Sequence, residues 1–316
     1  MILVGAVVLS EFLFREAPFS SCHASTVVET RKGSLLAAWF GGSHEGATDV
    51  AIYLTRHTED EWSKPVPVAR GASGESCYNP VLFQPRRGPL MLFFKAGTEP
   101  EKWHGMLTTS TDDGHNWSTP AQLPDGILGP IKDKPLELDN GEILCGSSDE
   151  SDGWTIHFEW TRDFGKTWGK SDPVNSPVDF DAIQPTVLKG RNHRIIALGR
   201  TQQSRVCYTT SDDGGKSWAP LSLLDVKNPN SGLDAVNLAD GRFLMVYNDS
   251  EMDRSPLNVA ISNNAIDWKP VLTLESDPGE YSYPSVIQTK DGLVHICYTW
   301  NRIRIRHVVL NPKSLE

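Results

Sequence analysis

Six polar residues stand at one recurring place in this chain: His23, Asn79, Lys134, Gln184, Asp234 and Tyr283. Each precedes Ala or Pro and then an apolar run, as in "HASTVV", "NPVLF", "QPTVL" and "YPSVI". A position that served packing alone would repeat one residue type. This one keeps polarity and varies identity, as a binding or reacting surface does. A second position, seven residues past the following turn, holds Lys95, Ser148, Arg200 and Asn248. Arg200 ends a wholly apolar run, and Arg254 opens a later strand in "MDRSPLNVAIS". Together, Arg200, Arg254, Lys134 and Lys95 would gather cations into one cavity of a chain whose formal net charge is -10. Such a cavity suits an anionic ligand, most simply a carboxylate, which a guanidinium grips with two parallel hydrogen bonds.

For these residues to converge, the elements that carry them must be arranged radially, and a second repeat indicates that they are. The octets "STDDGHNW", "TRDFGKTW" and "SDDGGKSW" share the pattern Ser/Thr-x-Asp-x-Gly-x-x-Trp, and worn copies end at Trp62 and Trp268. The Trp residues fall at 62, 117, 168, 218 and 268, steps of 55, 51, 50 and 50. Each octet reads as a hairpin turn: Asp accepts from the turn's own backbone, Gly takes positive φ, and Trp covers the edge of the unit. Between octets run apolar segments of strand length separated by turns, with no sustained helical period. Six such units of strand-turn-strand-loop-strand-turn-strand predict an all-β fold, a six-bladed β-propeller, because radial repetition leaves only short protected edges. The sixth unit lacks an octet, so the apolar N-terminus (residues 1–14) is expected to close the last blade of a single domain spanning residues 1–316. The octets then lie on the rim, as turn-formers rather than catalysts.

The acidic balance argues against nucleic acid, which usually needs a basic face. "NRIRIRH" (301–307) reads as one polar face of a strand, its basic residues alternating with Ile. No stretch approaches the apolar length of a membrane span. Five cysteines with no metal-like clustering read as buried free thiols, although Cys22 and Cys77 flank two of the recurring positions and a bridge between them stays open. No His/Cys/Asp spacing reads as a metal site and no Gly-rich phosphate loop follows a strand, so no cofactor is expected. Free cysteines and the lack of a visible leader favour the cytoplasm, whereas a glycan substrate favours export. Oligomeric state is not readable.

Octet turns on a six-bladed propeller, with Arg at these strand ends, resemble the sialidases (neuraminidases) and their BNR-repeat relatives, over essentially the whole chain. That family grips a sugar carboxylate with three Arg. It uses a Tyr nucleophile paired with a Glu, and an Asp acid/base in a loop of the first blade. Carried over by position, the resemblance implies Arg200 in "ALGRT" as the second Arg, Arg254 as the third, and Tyr283 in "YSYPSVIQTKDG" as the nucleophile, with Tyr281 beside it on the same face. The departures matter as much. His23 of "CHASTVV" stands where the first Arg is expected, with Arg15 a loose substitute at the wrong spacing. Gln184, sixteen residues before Arg200, stands where the Glu is expected. The first-blade loop "GGSHEGATD" offers His44, Glu45 and Asp49.

Gln cannot take a proton from a phenol, whose ordinary pKa is about 10. His23 is the side chain poised near neutrality to do so. The leading expectation is therefore an exo-acting, sialidase-like glycosidase on a terminal acidic sugar. In it Arg200, Arg254 and Lys134 bind the carboxylate, Tyr283 and His23 form the reacting pair, and Glu45 or Asp49 serves as acid/base. Asn79 and Asp234 would hold neighbouring side chains in place. The same His–Tyr pair suits a second reaction, elimination at a terminal uronic acid linkage such as rhamnosyl-glucuronate, as in some related propellers. A third reading is a glycan-binding propeller without turnover.

Overall fold

The computed structural model describes residues 5–58 and 61–316. Residues 1–4 of the expected closing strand, and Glu59 and Asp60 of the first worn octet, lie outside the described residues. The fold is a six-bladed β-propeller, with six separate sheets of four or five antiparallel strands in chain order. The inner strands begin at Ser21–Glu29, Ser76–Phe83, Leu136–Glu137, Ala182–Lys189, Asp234–Asn237 and Tyr281–Gln288 for blades one to six. The sixth blade takes its outer strand from the N-terminus: Val7–Phe12 pairs antiparallel with Arg304–Leu310, Phe12 facing Arg306 and Glu11 facing His307.

The octets form the turns that precede the outer strands. Asp112 accepts from the Asn116 amide (2.8 Å), Asp163 from Thr167 (2.8 Å) and Asp213 from Ser217 (3.0 Å). The preceding Ser or Thr hydroxyl accepts from the Gly amide of each octet. The Trp residues do more than cover an edge. Trp218 of blade four stacks on Phe158 of blade three, ring centroids 3.5 Å apart. Trp168 of blade three meets Phe93 of blade two edge-on at 6.1 Å. Each clasps the preceding blade, so the fifty-residue spacing is a spacing of inter-blade contacts. All five cysteines are buried and free.

One feature of the inner strands positions the site. In four blades the pairing between the first and second strands is interrupted at one height, between His23/Thr26, Tyr78/Val81, Ile183/Thr186 and Ser282/Ser285. The residue at the break has positive φ: Ala24 (56°), Asn79 (38°), Gln184 (55°) and Tyr283 (51°). These bulges bend the strand and re-aim its side chains, at about 1–3 kcal/mol of backbone strain each. They also correct the register in blade one. Ala24, not His23, is equivalent to Asn79, Gln184 and Tyr283, and His23 falls one residue earlier.

The seam between the first and last blades is held by a polar chain. Glu11 accepts from Trp62 Nε1 (2.9 Å) and is bonded to His307 Nδ1 (3.0 Å), whose Nε2 is bonded to His295 Nδ1 (3.0 Å). Burial and the neighbouring His307 push His295 down to about 4. The hydrogen bond from His307, against the opposing effect of burial, holds the Glu11 carboxyl below its ordinary value. Both groups are depressed, so the stability they contribute is present above their unfolded values and lost as pH falls. Thermal midpoints should therefore decline from pH 6.5 towards pH 4. Glu11→Ala should cost about 1–3 kcal/mol at neutral pH, read by denaturant unfolding; an unchanged midpoint would show that the seam is held by other contacts.

Candidate functional site

Tyr283 lies at the centre of the loop end of the ring. Its side chain is 8% exposed, and its phenolic oxygen accepts from Arg200 Nη2 at 3.0 Å and Gln184 Nε2 at 3.3 Å. His23 packs against it, ring centroids 4.2 Å apart, with Nδ1 bonded to Thr299 Oγ1 at 2.9 Å. Three cations face the phenol ring: Arg200 itself and Arg254, each with Cζ 5.5 Å from the centroid, and Lys132, with Nζ 5.8 Å away.

The surrounding carboxylates are unevenly shared. Glu280 accepts from Arg254 Nη1 (2.9 Å) and Arg302 Nε (2.9 Å), and Arg302 also pairs with Glu45. Burial tends to raise the Glu280 carboxyl, but the hydrogen bond and charge of Arg302 and the charge of Arg254 outweigh it and hold it below its ordinary value. Lys132 pairs with Asp133 and donates to the carbonyls of Leu233 and Pro284, both at 3.0 Å. Arg200 differs. Among the described residues its hydrogen-bond partners are neutral, the Asn230 carbonyl (2.8 Å) and the Tyr283 hydroxyl, and its buried Nε has none. A guanidinium so placed carries a desolvation cost of several kcal/mol that a bound anion would offset. Buried atoms without partners cluster nearby: Gln184 Oε1, Asn230 Oδ1 and Asp133 Oδ2. Arg254, Glu280 and Arg302, about a third exposed, form the mouth.

Not every expected residue joins this cluster. Lys134 does not: its amine pairs with Asp234 at 2.9 Å and donates to the Ala235 carbonyl at 2.7 Å. Asp234 in turn accepts from Thr186 and the Val286 amide, both at 2.8 Å, and so ties the inner strands of blades four, five and six together. Lys95 is fully buried, its amine on the Pro130 carbonyl, and burial pushes its pKa down to about 7. Tyr281 turns away into the hydrophobic cluster between blades five and six, 6.4 Å from the Trp300 ring. The bulge at Tyr283 breaks the alternation that would have put both on one face. In the first-blade loop, Asp49 accepts from the Ser43 amide (3.0 Å) and hydroxyl (2.9 Å), which hold its carboxyl below the ordinary value. It staples the loop through these bonds. His44 is exposed, 3.2 Å from the Ser43 hydroxyl. Glu45 reaches the mouth through Arg302. Asn79 occupies the bulge of blade two with its amide nitrogen buried and unpartnered. Arg15 is exposed beside Trp62, on the outer edge.

A model of the BNR repeat-like domain matches residues 33–296. The chain belongs to this family. Its fold is shared with solved structures of low identity. A protein of unknown function from Dyadobacter fermentans superposes with a TM-score of 0.83 at 18% identity, covering 96% of this chain and 98% of that one. The NanB sialidase of Streptococcus pneumoniae, as a point mutant, gives 0.83 at 12% identity, over 99% and 71% of the two chains. The intramolecular trans-sialidase of Ruminococcus gnavus, in complex with oseltamivir carboxylate, gives 0.80 at 12% identity, over 98% and 99%. No curated protein sequence matches the chain.

Three residues of this BNR repeat-like propeller were missed in its sequence. Arg302 belongs to the turn before Arg304–Leu310, not to its polar face, with its backbone carbonyl on the Cys22 amide at 2.7 Å. Arg304 and Arg306 stack instead on Phe12 of the closing strand. Lys132 precedes the expected Lys134 by two residues, and Gly232 is side-chain-free where a Cβ would lie 2.5 Å from the Lys132 stem. Glu280 sits next to the Tyr281 whose role was overread. The missed signals are the "NR" turn and the "GE" before "YSY".

Burial, and then the charges of Arg302, Arg254, Arg200 and Lys132, hold His23 well below its ordinary 6.5. Its imidazole is therefore neutral at neutral pH. The associated stability is complete above pH 6.5 and is lost as pH falls through the depressed value. Nitrogen chemical shifts of His23 should keep the neutral pattern at pH 6; an imidazolium pattern there would refute the four-cation environment.

Proposed function

We propose that this propeller is an exo-acting glycosidase for a terminal, carboxylate-bearing sugar. The observation that carries the reading is the buried Arg200 guanidinium, beside Tyr283, with neutral partners only. A ligand carboxylate at the mouth would meet Arg200 together with Arg254 and Arg302, whose own carboxylates leave them partly exposed. Lys132 adds charge from below the phenol. Fold likeness to sialidases is consistent with this reading and does not carry it.

In the proposed reaction Tyr283 Oη attacks the anomeric carbon, and neutral His23 accepts the phenolic proton. With Nδ1 bonded to Thr299 Oγ1, Nε2 is the ring nitrogen left to take it. Arg200 stabilises the oxygen as charge develops on it, which is the kind of electrostatic help a water-poor site makes large. Gln184 orients the phenol and takes no proton.

One observation favours a second reading. Among the described residues no carboxylate bonds Tyr283, and a neutral His packs on it instead. That pair suits abstraction of the proton beside a uronate carboxylate, with cations neutralising the carboxylate, and hence elimination.

Incubation with sialyl-lactose and with rhamnosyl-glucuronate oligosaccharides separates the two. Release of free sialic acid is the expected result; an unsaturated uronate absorbing in the near ultraviolet would replace hydrolysis with elimination, and binding without any product would reduce the site to a lectin. On whichever substrate turns over, Tyr283→Phe should lower kcat by about 10³-fold or more with little change in KM, and equal kcat in the variant would remove the phenol from the chemistry.

A further inference from the structure

With Asp49 bound to Ser43 and Glu45 bound to Arg302, the first-blade loop offers no free acid to a departing group. A carboxylate on the third blade is free. Glu150 is half-buried in the loop between the second and third strands of blade three, and among the described residues no hydrogen bond or ion pair reaches it. The loop is fixed to the Tyr283 cluster on both sides. Ser148, two residues before, accepts from the Gln184 amide at 3.3 Å. Trp154, four residues after, lies against the Arg200 guanidinium, Cζ 5.3 Å from its ring. Trp154 is itself held by Asp181, which accepts from its amide at 3.0 Å. Glu150 therefore rides on a segment whose two ends touch the residues that hold the phenol.

On its other side Glu150 lines a cleft of about 290 Å³ between blades two and three, walled by Trp103, His104, Ser148 and Lys170. The cleft and the Tyr283 cluster share Ser148 as a wall. A sugar whose reacting end faces Tyr283 would have this cleft beside its outgoing bond.

We propose that Glu150 is the proton donor to the leaving group, and that the cleft between blades two and three seats that group. This rests on the reading of the site as one that cleaves a terminal acidic sugar. In the first step the bond between the anomeric carbon and the glycosidic oxygen breaks, its electron pair stays on the oxygen, and the Glu150 proton goes to that oxygen. The Glu150 carboxylate then takes a proton from the water that attacks the anomeric carbon, the Tyr283–carbon bond breaks, and the phenol recovers its proton from His23. In an elimination the His23–Tyr283 pair would take the C–H proton, the C–H electron pair would form the new double bond as the neighbouring C–O bond breaks, and the Glu150 proton would go to the departing oxygen. Burial raises the Glu150 carboxyl above its ordinary value, against the opposing charge of Arg200, which keeps it protonated further towards neutrality.

The test compares Glu150→Gln with wild type on glycosides of one acidic sugar carrying 4-nitrophenol or a simple alcohol. A 4-nitrophenolate departs without a proton, so the variant should keep its kcat/KM within about 10-fold there and lose about 10²–10⁴-fold in kcat/KM on the alkyl glycoside. The alkaline limb of the wild-type kcat/KM profile should disappear in the variant, and azide should accelerate its turnover of the aryl substrate. Equal losses on both substrates, or none on either, would overturn the assignment. Glu150→Ala gives the same comparison should Glu150→Gln fail to fold, a point read from its thermal midpoint. A wild-type protein inert on every glycoside would instead overturn the reading of the site as a glycan-cleaving one, and this assignment with it.

Discussion

The bulge that recurs on the inner strands sets the rest of the site. A regular strand alternates its side chains between two faces, and neither face of a propeller blade points along the central axis. One residue at positive φ breaks that alternation and turns a side chain towards the axis. In blades four and six the turned residues are Gln184 and Tyr283, and the hydrogen bond between them spans 99 positions of the chain. In blade one the turned residue is Ala24, which has almost no side chain. His23 just before it packs beside Tyr283. The backbone strain is offset elsewhere, by cores between the blades and by a part-buried ion pair, Lys134 with Asp234, that ties the inner strands below the cluster.

Electrostatics then separates two kinds of cation. Lys134 is matched by a carboxylate and three neighbouring backbone or hydroxyl groups around that carboxylate, and its work is structural. Arg254 and Arg302 share Glu280, which fixes their geometry while leaving part of each guanidinium at the mouth. Of the cations around the phenol, Arg200 has neutral hydrogen-bond partners among the described residues. The same field acts on His23: burial and four cations all disfavour the imidazolium, so the residue that a free imidazole pKa would leave half-charged near neutrality stands here as a base in its neutral form.

The octets illustrate how a surface-looking motif organises an interior. Their Asp residues satisfy the turn backbone, and the Trp they carry reaches back to the preceding blade. Contacts of this sort join blade three to blade two and blade four to blade three. The four bulges share one height, and residues from blades one, three, four, five and six meet around one phenol.

Much of this was legible in the chain before any coordinates. The period of the Trp residues and the alternation of apolar runs with turns specify six blades, because each is a local, repeated signal. The place of Gln184, Arg200 and Tyr283 follows from counting within the repeat, since pairing in the blade preserves the count: Lys95 and Arg200 do occupy equivalent positions of their second strands. Three things needed the tertiary structure. The bulge shifts His23 by one position relative to its apparent equivalents and sends Tyr281 into the core, and a one-residue slip cannot be read from polarity alone. Which lysine faces the phenol, Lys132 or Lys134, is decided by Asp234, which holds Lys134 from across the ring while Lys132 pairs with its neighbour Asp133. Arg302, Glu280 and Glu150 lie in turns outside the repeated strands, where no count constrains them. Sequence determined the ring and the strands that converge on its axis, because those are periodic; the partners of each charge were decided by loops brought together from different blades, because charge pairing acts through space.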